Sequence, residues 1–285
     1  MTYRFIDEHR RQWPVRLLCE TLEVSPAAYY AWRRCPRSAQ GPRRDALLVG
    51  IRAIHAESEA RYGSPRIHAE LVARGHDCCV TTVAELMREG GMAARTAREF
   101  RCTTTDSDHD SPVAENLSGR QFNPSVANEV WLADSTYIPT REGWPYLAAV
   151  EDLYARRVAG WAMAEHVESR LVVGALAMAV QRRLPDEGLL AHSDRGRQYA
   201  SEPYRLLPAQ QGITCSLSRR ADCWDNAPMG SFVAALKEEL VHGADFATRA
   251  EARAAVFEYV EVSYNGQRRH SSLGYVSPAE YEQAE

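Results

Sequence analysis

The sequence lacks the features of a membrane-spanning chain or of a secreted, disulfide-bonded domain. The longest apolar run in its 285 residues, Leu171–Val180, is ten residues long, well short of the roughly 20 that a transmembrane helix needs. The N-terminus is charged from its fourth residue, Arg4, which predicts no secretory signal. Seven cysteines are scattered without a CxxC spacing, which argues against a zinc knuckle and favours a reduced, cytoplasmic protein.

Lysine is almost absent: Lys237 is the only lysine among 34 basic residues, and the others are arginines. Hydrophobic residues make up 45% and charged residues 25% of the chain, which excludes a disordered chain. The charge is uneven: residues 1–101 hold 17 arginines against 12 acidic residues, whereas residues 126–285 hold 16 basic and 22 acidic residues. A basic front half favours contact with DNA phosphates. The excess of arginines over acidic residues in residues 1–101 also lies within the normal variation of charge along a protein chain.

A polar, acidic stretch beginning at Thr103 reads as a linker and divides the chain. We therefore predict four segments. These are an N-terminal helix-turn-helix at 1–40, a second helical DNA-binding module at 41–100, the linker at 101–124, and a large C-terminal region at 125–285.

The first segment contains two short helical patterns, residues 14–22 and 27–34, separated by a tight turn. A helix, a turn and a second helix form the arrangement that places the second helix in a major groove of DNA. On this interpretation Tyr29, Arg33 and Arg34 contact DNA. The alternative is an ordinary helical hairpin whose aromatic residues form its core.

The pattern recurs in the second segment. Helices are predicted over residues 44–58, from Pro65 to about Arg74, and over Val80–Glu89. Two helical units in series suit an extended DNA site, and Arg66 in the middle helix is a candidate DNA contact.

The periodicity changes after residue 130. The predicted order is three strands, a helix, a strand, a helix and a last strand, at 130–139, 143–153, 158–164, 169–184, 188–196, 201–211 and 213–217. This order predicts an α/β fold of the ribonuclease-H-like plan, a mixed five-stranded sheet with flanking helices, preceded by the all-α modules.

Two acidic residues interrupt apolar strands of this sheet. Asp134 lies within the first strand and Asp194 at the end of the fourth, so the plan brings them side by side. A divalent cation would relieve the repulsion between two such carboxylates. The alternative is that arginines or backbone N–H groups satisfy each acid separately.

Four blocks of sequence are specific enough to indicate a protein family. They are Trp131-Leu-Ala-Asp-Ser-Thr-Tyr-Ile, His192-Ser-Asp-Arg-Gly-Arg-Gln-Tyr-Ala-Ser, Cys223-Trp-Asp-Asn-Ala-Pro-Met and the ending from Tyr264 to Tyr281. With the Tyr62-Gly-Ser-Pro-Arg-Ile stretch, they closely resemble bacterial insertion-sequence transposases, namely the second-frame protein of the copy-out–paste-in type with a retroviral-integrase-like catalytic core. The resemblance covers essentially the whole chain.

The resemblance implies that residues 125–285 are an integrase-like catalytic core with a C-terminal helical segment. It also implies an Asp, Asp, Glu triad that holds two Mg²⁺ (or Mn²⁺) ions for phosphoryl transfer at DNA ends. Asp134 and Asp194 match the two aspartates as catalytic and metal-binding residues. The family's glutamate corresponds to position 230, which is glycine here. We therefore expect weakened metal binding and impaired catalysis.

Other acids near position 230 are poor substitutes. Glu238 and Glu239 lie eight and nine residues further along, roughly 12–13 Å along a helix axis. Asp222 and Asp225 lie in the preceding loop and remain open as weak substitutes for the absent glutamate.

The expected partners are double-stranded DNA, both the terminal inverted repeats and the target, and further copies of the chain on DNA. An upstream-frame partner or fusion is also expected, because the chain begins at Met1 without the family's oligomerising segment. Lys237, Arg268 and Arg269 are candidate DNA contacts, although the two arginines equally suit pinning of the C-terminal segment. The expected location is the bacterial cytoplasm, at the nucleoid, with no membrane contact.

Two further functions remain open. One is a catalytically inactive DNA-binding protein that occupies element ends and interferes with an active transposase. The other is an unrelated ribonuclease-H-like nuclease, against which the C-terminal blocks argue.

Overall fold

The computed structural model describes residues 2–34, 40–95, 114–220 and 222–284. The chain divides into two compact units, residues 1–94 and residues 95–285. Within the described ranges, no helix is long and apolar enough to cross a membrane.

The described part of the first unit is helical. Its helices are α1 (Thr2–His9), α2 (Val15–Thr21), α3 (Pro26–Arg34), α4 (Gln40–Glu57), α5 (Ser64–Ala73) and α6 (Val80–Glu89). Five of them match the predicted helices, and α1 is an addition. Proline in the first turn of α5 and Gly75 at φ +83°, after its end, fix where that helix begins and ends.

Two small cores hold these helices. Ile6, Cys19 and Tyr29 are buried together between α1, α2 and α3. The helices α4, α5 and α6 share a second core, which consists of Leu47, Ile51, Ile54, Ile67, Leu71, Val83, Leu86 and Met87. Each set of helices therefore has an apolar core of its own.

The second unit contains strands and helices in the predicted order. They are β1 (Val130–Tyr137), β2 (Tyr146–Asp152), β3 (Arg157–Ala164), α7 (Ser169–Arg183), β4 (Leu190–Ser193), α8 (Glu202–Gln210), β5 (Thr214–Leu217), α9 (Ala227–Leu236), α10 (Arg249–Phe257) and α11 (Pro278–Gln283). The helices α9 and α10 continue as π-helical segments, Lys237–Val241 and Glu258–Gln267.

The five strands form one mixed sheet in the order β3-β2-β1-β4-β5. The strands β1, β2 and β3 form an antiparallel meander, while β4 pairs in parallel with both β1 and β5. The crossover from β3 through α7 places β4 beside β1 at the centre of the sheet. The predicted ribonuclease-H-like architecture is confirmed.

Alternation along β1 separates two cores. Trp131 and Ala133 pack with α7 on one face, whereas Leu132 and Ile138 pack with α9 and α10 on the other. On the α7 face, Gly160 permits a close approach, since a Cβ there would lie 2.3 Å from the carbonyl oxygen of a residue in α7.

The described part of the predicted linker packs on the sheet unit. Residues 101–113 of that prediction lie outside the described residues. From 114 onward the chain is fixed, because Ala114 and Phe122 pack on the two cores and the Leu117 N–H donates to Ser216 Oγ at 2.9 Å. Residues 114–124 therefore belong to the sheet unit rather than to a linker.

A buried carboxyl group on β2 makes stability depend on pH. Glu151 is 1% exposed; it accepts a hydrogen bond from Tyr264 Oη at 3.2 Å and lies 3.6 Å from Arg156. Burial raises the pKa of Glu151 to about 8. The folded state thus holds its proton more tightly than the unfolded state. The free energy of unfolding therefore falls as pH rises from about 4.5 through about 8.

We expect Glu151→Gln to remove this pH dependence. The variant should match the wild type in thermal stability at pH 5.5 and exceed it at pH 8.5, because glutamine never acquires the buried charge. Thermal unfolding at both pH values measures this, with Glu258→Gln as the control for charge removal at an exposed site. Equal loss of stability by wild type and variant on going to pH 8.5 would contradict the assignment.

Candidate active site

Two aspartates lie next to each other where β4 ends. In the parallel pairing of β1 with β4, Ala133 is the partner of Ser193, so Asp134 and Asp194 are the next residues in register. The predicted juxtaposition of these two acids is therefore present in the structure.

Backbone N–H groups orient both carboxylates. The Ser135 N–H donates to Asp134 Oδ1 at 2.7 Å, and the Gly196 N–H donates to Asp194 Oδ1 at 3.0 Å. Both aspartates are half-buried. By strand alternation, Asp134 shares the sheet face of Leu132, the face that α9 covers.

The two acids disfavour each other's charge. The pKa of Asp134 is raised, first by burial and then by the negative charge of Asp194, against a smaller opposing effect of the Ser135 N–H. Two neighbouring carboxylates with oxygens directed into a partly desolvated site are hard ligands of the kind that Mg²⁺ and Mn²⁺ bind. The pair therefore fits one divalent cation.

Tyr199 is a site residue that the sequence reasoning did not single out. Its side chain is buried, and its ring meets that of Tyr204 edge to face at 5.2 Å between centroids. Burial and the charges of Asp194 and Asp134 raise its pKa well above the usual value. The Tyr199 hydroxyl is thus a protonated, neutral group close enough to the two aspartates to be affected by their charge. The only sequence signal was its place in the block that begins at His192.

His192 is not a further ligand. It is fully buried on β4, and its ring nitrogens lie 2.8 Å from Ser216 Oγ and 3.1 Å from Ser218 Oγ. Burial lowers its pKa to about 4, so the imidazole is neutral at pH 7. It ties β4 to β5 and supports the strand that carries Asp194.

The helix α9 runs beside the segment of β1 that carries Asp134. At its start, Asn226 Nδ2 donates to the carbonyl oxygen of Ala133 at 3.0 Å. Just beyond its end, Lys237 Nζ donates to the carbonyl oxygen of Tyr137. Asn226 is the N-cap residue of α9, yet its side chain makes no cap hydrogen bond and instead binds β1.

Position 230 faces open space on this helix. Gly230 is exposed, and a Cβ added there would have no neighbour within 4 Å. Gly230 lies seven residues before Lys237, so both are on the same side of the helix, the side that reaches β1. A longer side chain at 230 would therefore meet no steric obstacle, whereas glycine offers no oxygen.

The loop acids are committed elsewhere. Asp225 is fully buried and accepts hydrogen bonds from Arg219 Nη2 at 2.7 Å, Arg120 Nε at 2.8 Å and Asn116 Nδ2 at 2.7 Å. These arginines hold its pKa far below the usual range. Asp222 pairs with Arg120 at 2.5 Å.

The search for a larger metal site covers the described residues. Among them, no group of three His, Cys, Asp or Glu side chains could hold a metal ion.

The basic candidates of the second unit bind the chain itself. Arg268, whose side chain is 10% exposed, pairs with Glu239 at 2.8 Å, as the predicted pinning of the C-terminal segment requires. Arg269 Nη1 donates to the carbonyl oxygen of Tyr275 at 2.8 Å. Lys237 Nζ lies 3.9 Å from the ring centroid of Tyr137.

The first unit requires one correction. Tyr29 is fully buried and donates to Asp7 Oδ1 at 2.8 Å, so it belongs to the core rather than to a DNA-binding surface. Arg33 lies 3.5 Å from Asp7 and remains partly exposed, and Arg34 is exposed. Arg66 lies over a tyrosine ring of its own unit, 5.7 Å from the centroid.

Comparison with known proteins gives concordant matches along the chain. Family models described as "Integrase core domain" match residues 124–223 and 230–285, and one described as "HTH-like domain" matches residues 42–100. The InsF transposase for insertion sequence IS3A of Escherichia coli K12 is 38% identical over 284 residues, covering 99% of this chain and 98% of its own. An uncharacterized 31 kDa protein of insertion element IS600 from Shigella sonnei is 39% identical over 264 residues, covering 93% and 97%.

Solved structures with a similar fold include integrases. The catalytic core domain of BIV integrase has a TM-score of 0.41 and 16% identity, covering 55% of this chain and 95% of its own. A catalytic core of HTLV-2 integrase in complex with magnesium has a TM-score of 0.40 and 14% identity, covering 57% and 100%.

Proposed function

Because the chain belongs to the IS3 family of insertion-sequence transposases with an integrase core, we propose that it binds the ends of its element and has lost most strand-transfer activity. The observation that carries this proposal is the pair Asp134 and Asp194 beside a helix whose position 230 is glycine. The pair supplies part of a phosphoryl-transfer site, and the glycine leaves that site incomplete.

Asp134 and Asp194 would hold one divalent cation, Mg²⁺ or Mn²⁺. Such an ion, when bound, helps to activate an attacking water or DNA 3′-hydroxyl and to neutralise charge on the transferring phosphoryl group. The protein's own contribution is positioning: the Ser135 and Gly196 N–H groups fix the two carboxylates. Asn226 fixes α9 against β1.

Glycine at position 230 impairs this site. In a two-metal site the ions stabilise both the attacking and the leaving oxygen, and a second ion here has no carboxylate from α9. Asp225 cannot replace it, since its oxygens are held by Arg219 and Arg120. Binding of the cation should be weak and the chemical step slow.

The substrate of this site is double-stranded DNA, namely the terminal inverted repeats and the target. Arg34 on α3 and Arg66 on α5 are the basic candidates of the helical unit for phosphate contact. Self-association on DNA and an upstream-frame partner or fusion would complete the assembly.

The test uses the purified full chain with the terminal-repeat DNA of its own element and Mg²⁺ or Mn²⁺. We expect retention of the DNA in a gel-shift assay together with 3′-end cleavage and joined products at or near background. Robust turnover by the unmodified protein would overturn the proposed impairment. Absence of DNA binding would overturn the proposed function as a whole.

The same geometry favours a second candidate function, a non-catalytic protein that occupies element ends and interferes with an active relative. A chain that keeps its fold and DNA-binding unit but lacks the third acid would compete for the same ends. Adding it in increasing amounts to an active relative on shared ends should lower joined products in proportion to occupancy. No change in those products would contradict this function.

A further inference from the structure

An exposed tryptophan stands on the loop between β1 and β2. Trp144 is 55% exposed, and its ring lies nearly parallel to that of Tyr137, at 20° with 4.9 Å between centroids. Because Tyr137 covers one face of the indole, the exposed area belongs to the other face and the edges. A large flat apolar surface therefore faces solvent next to the strand that carries Asp134.

The opposite side of this stack carries a positive charge. Lys237 Nζ lies 3.9 Å from the ring centroid of Tyr137, which is a cation–π distance, and it also donates to the Tyr137 carbonyl oxygen. We call Trp144, Tyr137 and Lys237 together the aromatic platform. It joins β1, the β1–β2 loop and the end of α9.

The loop holds the platform in place. The Ile138 N–H donates to the carbonyl oxygen of Pro145 at 2.8 Å, and Thr140 and Gly143 exchange two backbone hydrogen bonds of 3.2 Å. Gly143 has φ +112°, a conformation in which a side chain would be strained. The loop backbone is thus held by hydrogen bonds and the indole packs on Tyr137 before any ligand arrives, which lowers the entropic cost of binding.

The platform lies within reach of a DNA strand at the acid pair. Strand alternation directs the side chains of Asp134 and Tyr137 to opposite faces, but Lys237, just beyond the end of α9 on the Asp134 face, reaches the Tyr137 ring, so the platform borders that face. Tyr137 follows Asp134 by three residues on the same strand, roughly 10 Å at about 3.3 Å per residue. This is about three steps of a stacked nucleic-acid strand at about 3.4 Å each. A base a few nucleotides from a phosphate at Asp134 would therefore reach Trp144.

We propose that the aromatic platform stacks an unpaired nucleobase of the DNA strand whose phosphate lies at Asp134 and Asp194. This inference rests on the proposed function in one respect, that DNA occupies this site. A paired base within a duplex has both faces covered by its neighbours, whereas a base at a frayed end or in a single strand presents a free face. A flat aromatic surface with a cation behind it binds such a face without regard to sequence.

The test compares two DNA probes on the full-length chain: a blunt duplex, and the same duplex with a short unpaired thymidine tail. We expect the wild type to bind the tailed duplex about tenfold more tightly. Trp144→Ala should remove this preference and leave affinity for the blunt duplex within about twofold, whereas Trp144→Phe, which retains a ring, should keep most of it. Fluorescence anisotropy at fixed salt gives both affinities.

Phe257→Ala is the matched control. This aromatic residue is 53% exposed and lies 6.3 Å between centroids from Trp161 on β3, which is two strands away from β1. The Phe257→Ala variant should leave the preference for the tailed duplex unchanged. Retention of the preference by Trp144→Ala, or equal binding of both probes by the wild type, overturns the platform. Failure of the wild type to bind either probe overturns the proposed function together with the platform.

Discussion

Replacing Gly230 by glutamate is expected to raise the rates of 3′-end cleavage and strand joining on the order of 10²-fold or more. Outer-shell partners of a metal site typically contribute about 10- to 100-fold to activity or affinity, and a carboxylate that binds the metal directly should contribute at least as much. A 10²-fold gain corresponds to ~2.7 kcal/mol of transition-state stabilisation. The substitution should not disturb the fold, because a Cβ at 230 meets nothing within 4 Å.

Two further variants separate a metal-binding role from a helix effect. Glycine is disfavoured in a helix interior, so glutamate or glutamine at 230 each adds about 0.5 kcal/mol of helix stability. Gly230→Gln shares that gain and the side-chain shape but not the charge, and it should remain near background activity. Gly230→Glu combined with Asp194→Asn should lose the restored activity. Equal activity of the Glu and Gln variants would show that position 230 does not supply a metal ligand.

The fold and the acid pair could be predicted because the signals for them are local. The apolar strand patterns after residue 130, and the apolar run that becomes α7, give the order of elements from sequence alone. The placement of Asp134 beside Asp194 then follows from a parallel β1–β4 pairing, which is confirmed. The resemblance to insertion-sequence transposases is also confirmed by relatives that match along almost the whole chain.

The roles of individual polar side chains could not be predicted in the same way, because their partners are distant in sequence. Arg268 meets Glu239 across 29 residues, and Arg120 meets Asp225 across 105. No local pattern distinguishes an arginine that will bind a carboxylate in the fold from one that will bind phosphate. Tyr29 illustrates the same problem, since an aromatic residue on a short amphipathic helix fits either a core or a DNA-binding surface.

The pair of neighbouring aspartates has a consequence for the stability of the folded protein. In the absence of a cation, Asp134 and Asp194 repel each other in a partly desolvated site, so the pair destabilises the fold when both are ionised. The raised pKa of Asp134 means that the folded state holds its proton more tightly than the unfolded state. The contribution of Asp134 to stability is therefore greatest at low pH and falls as pH rises from about 4 to about 7.

Asp134→Asn is accordingly expected to stabilise the cation-free protein at pH 8 while abolishing its response to Mn²⁺. Removal of the repulsion should contribute about 1–3 kcal/mol, a rise of roughly 2–8 °C in the unfolding temperature, with little change at pH 4.5. Saturating Mn²⁺, at about 100 times its dissociation constant, should stabilise the wild type by ~2.7 kcal/mol, and the variant not at all. Differential scanning calorimetry with and without Mn²⁺ measures both effects.

Asp186→Asn makes the same chemical change at an exposed position and should alter neither quantity. The assignment is testable without any catalytic activity, because Asp134→Asn should raise the stability of the cation-free protein and remove the stabilisation by Mn²⁺. Replacing a purely structural aspartate would instead lower the stability and leave the response to Mn²⁺ unchanged. A wild type that gains no stability from Mn²⁺ at pH 8 would show that two carboxylates alone do not hold the ion. Destabilisation by Asp134→Asn would show that its charge is compensated within the fold.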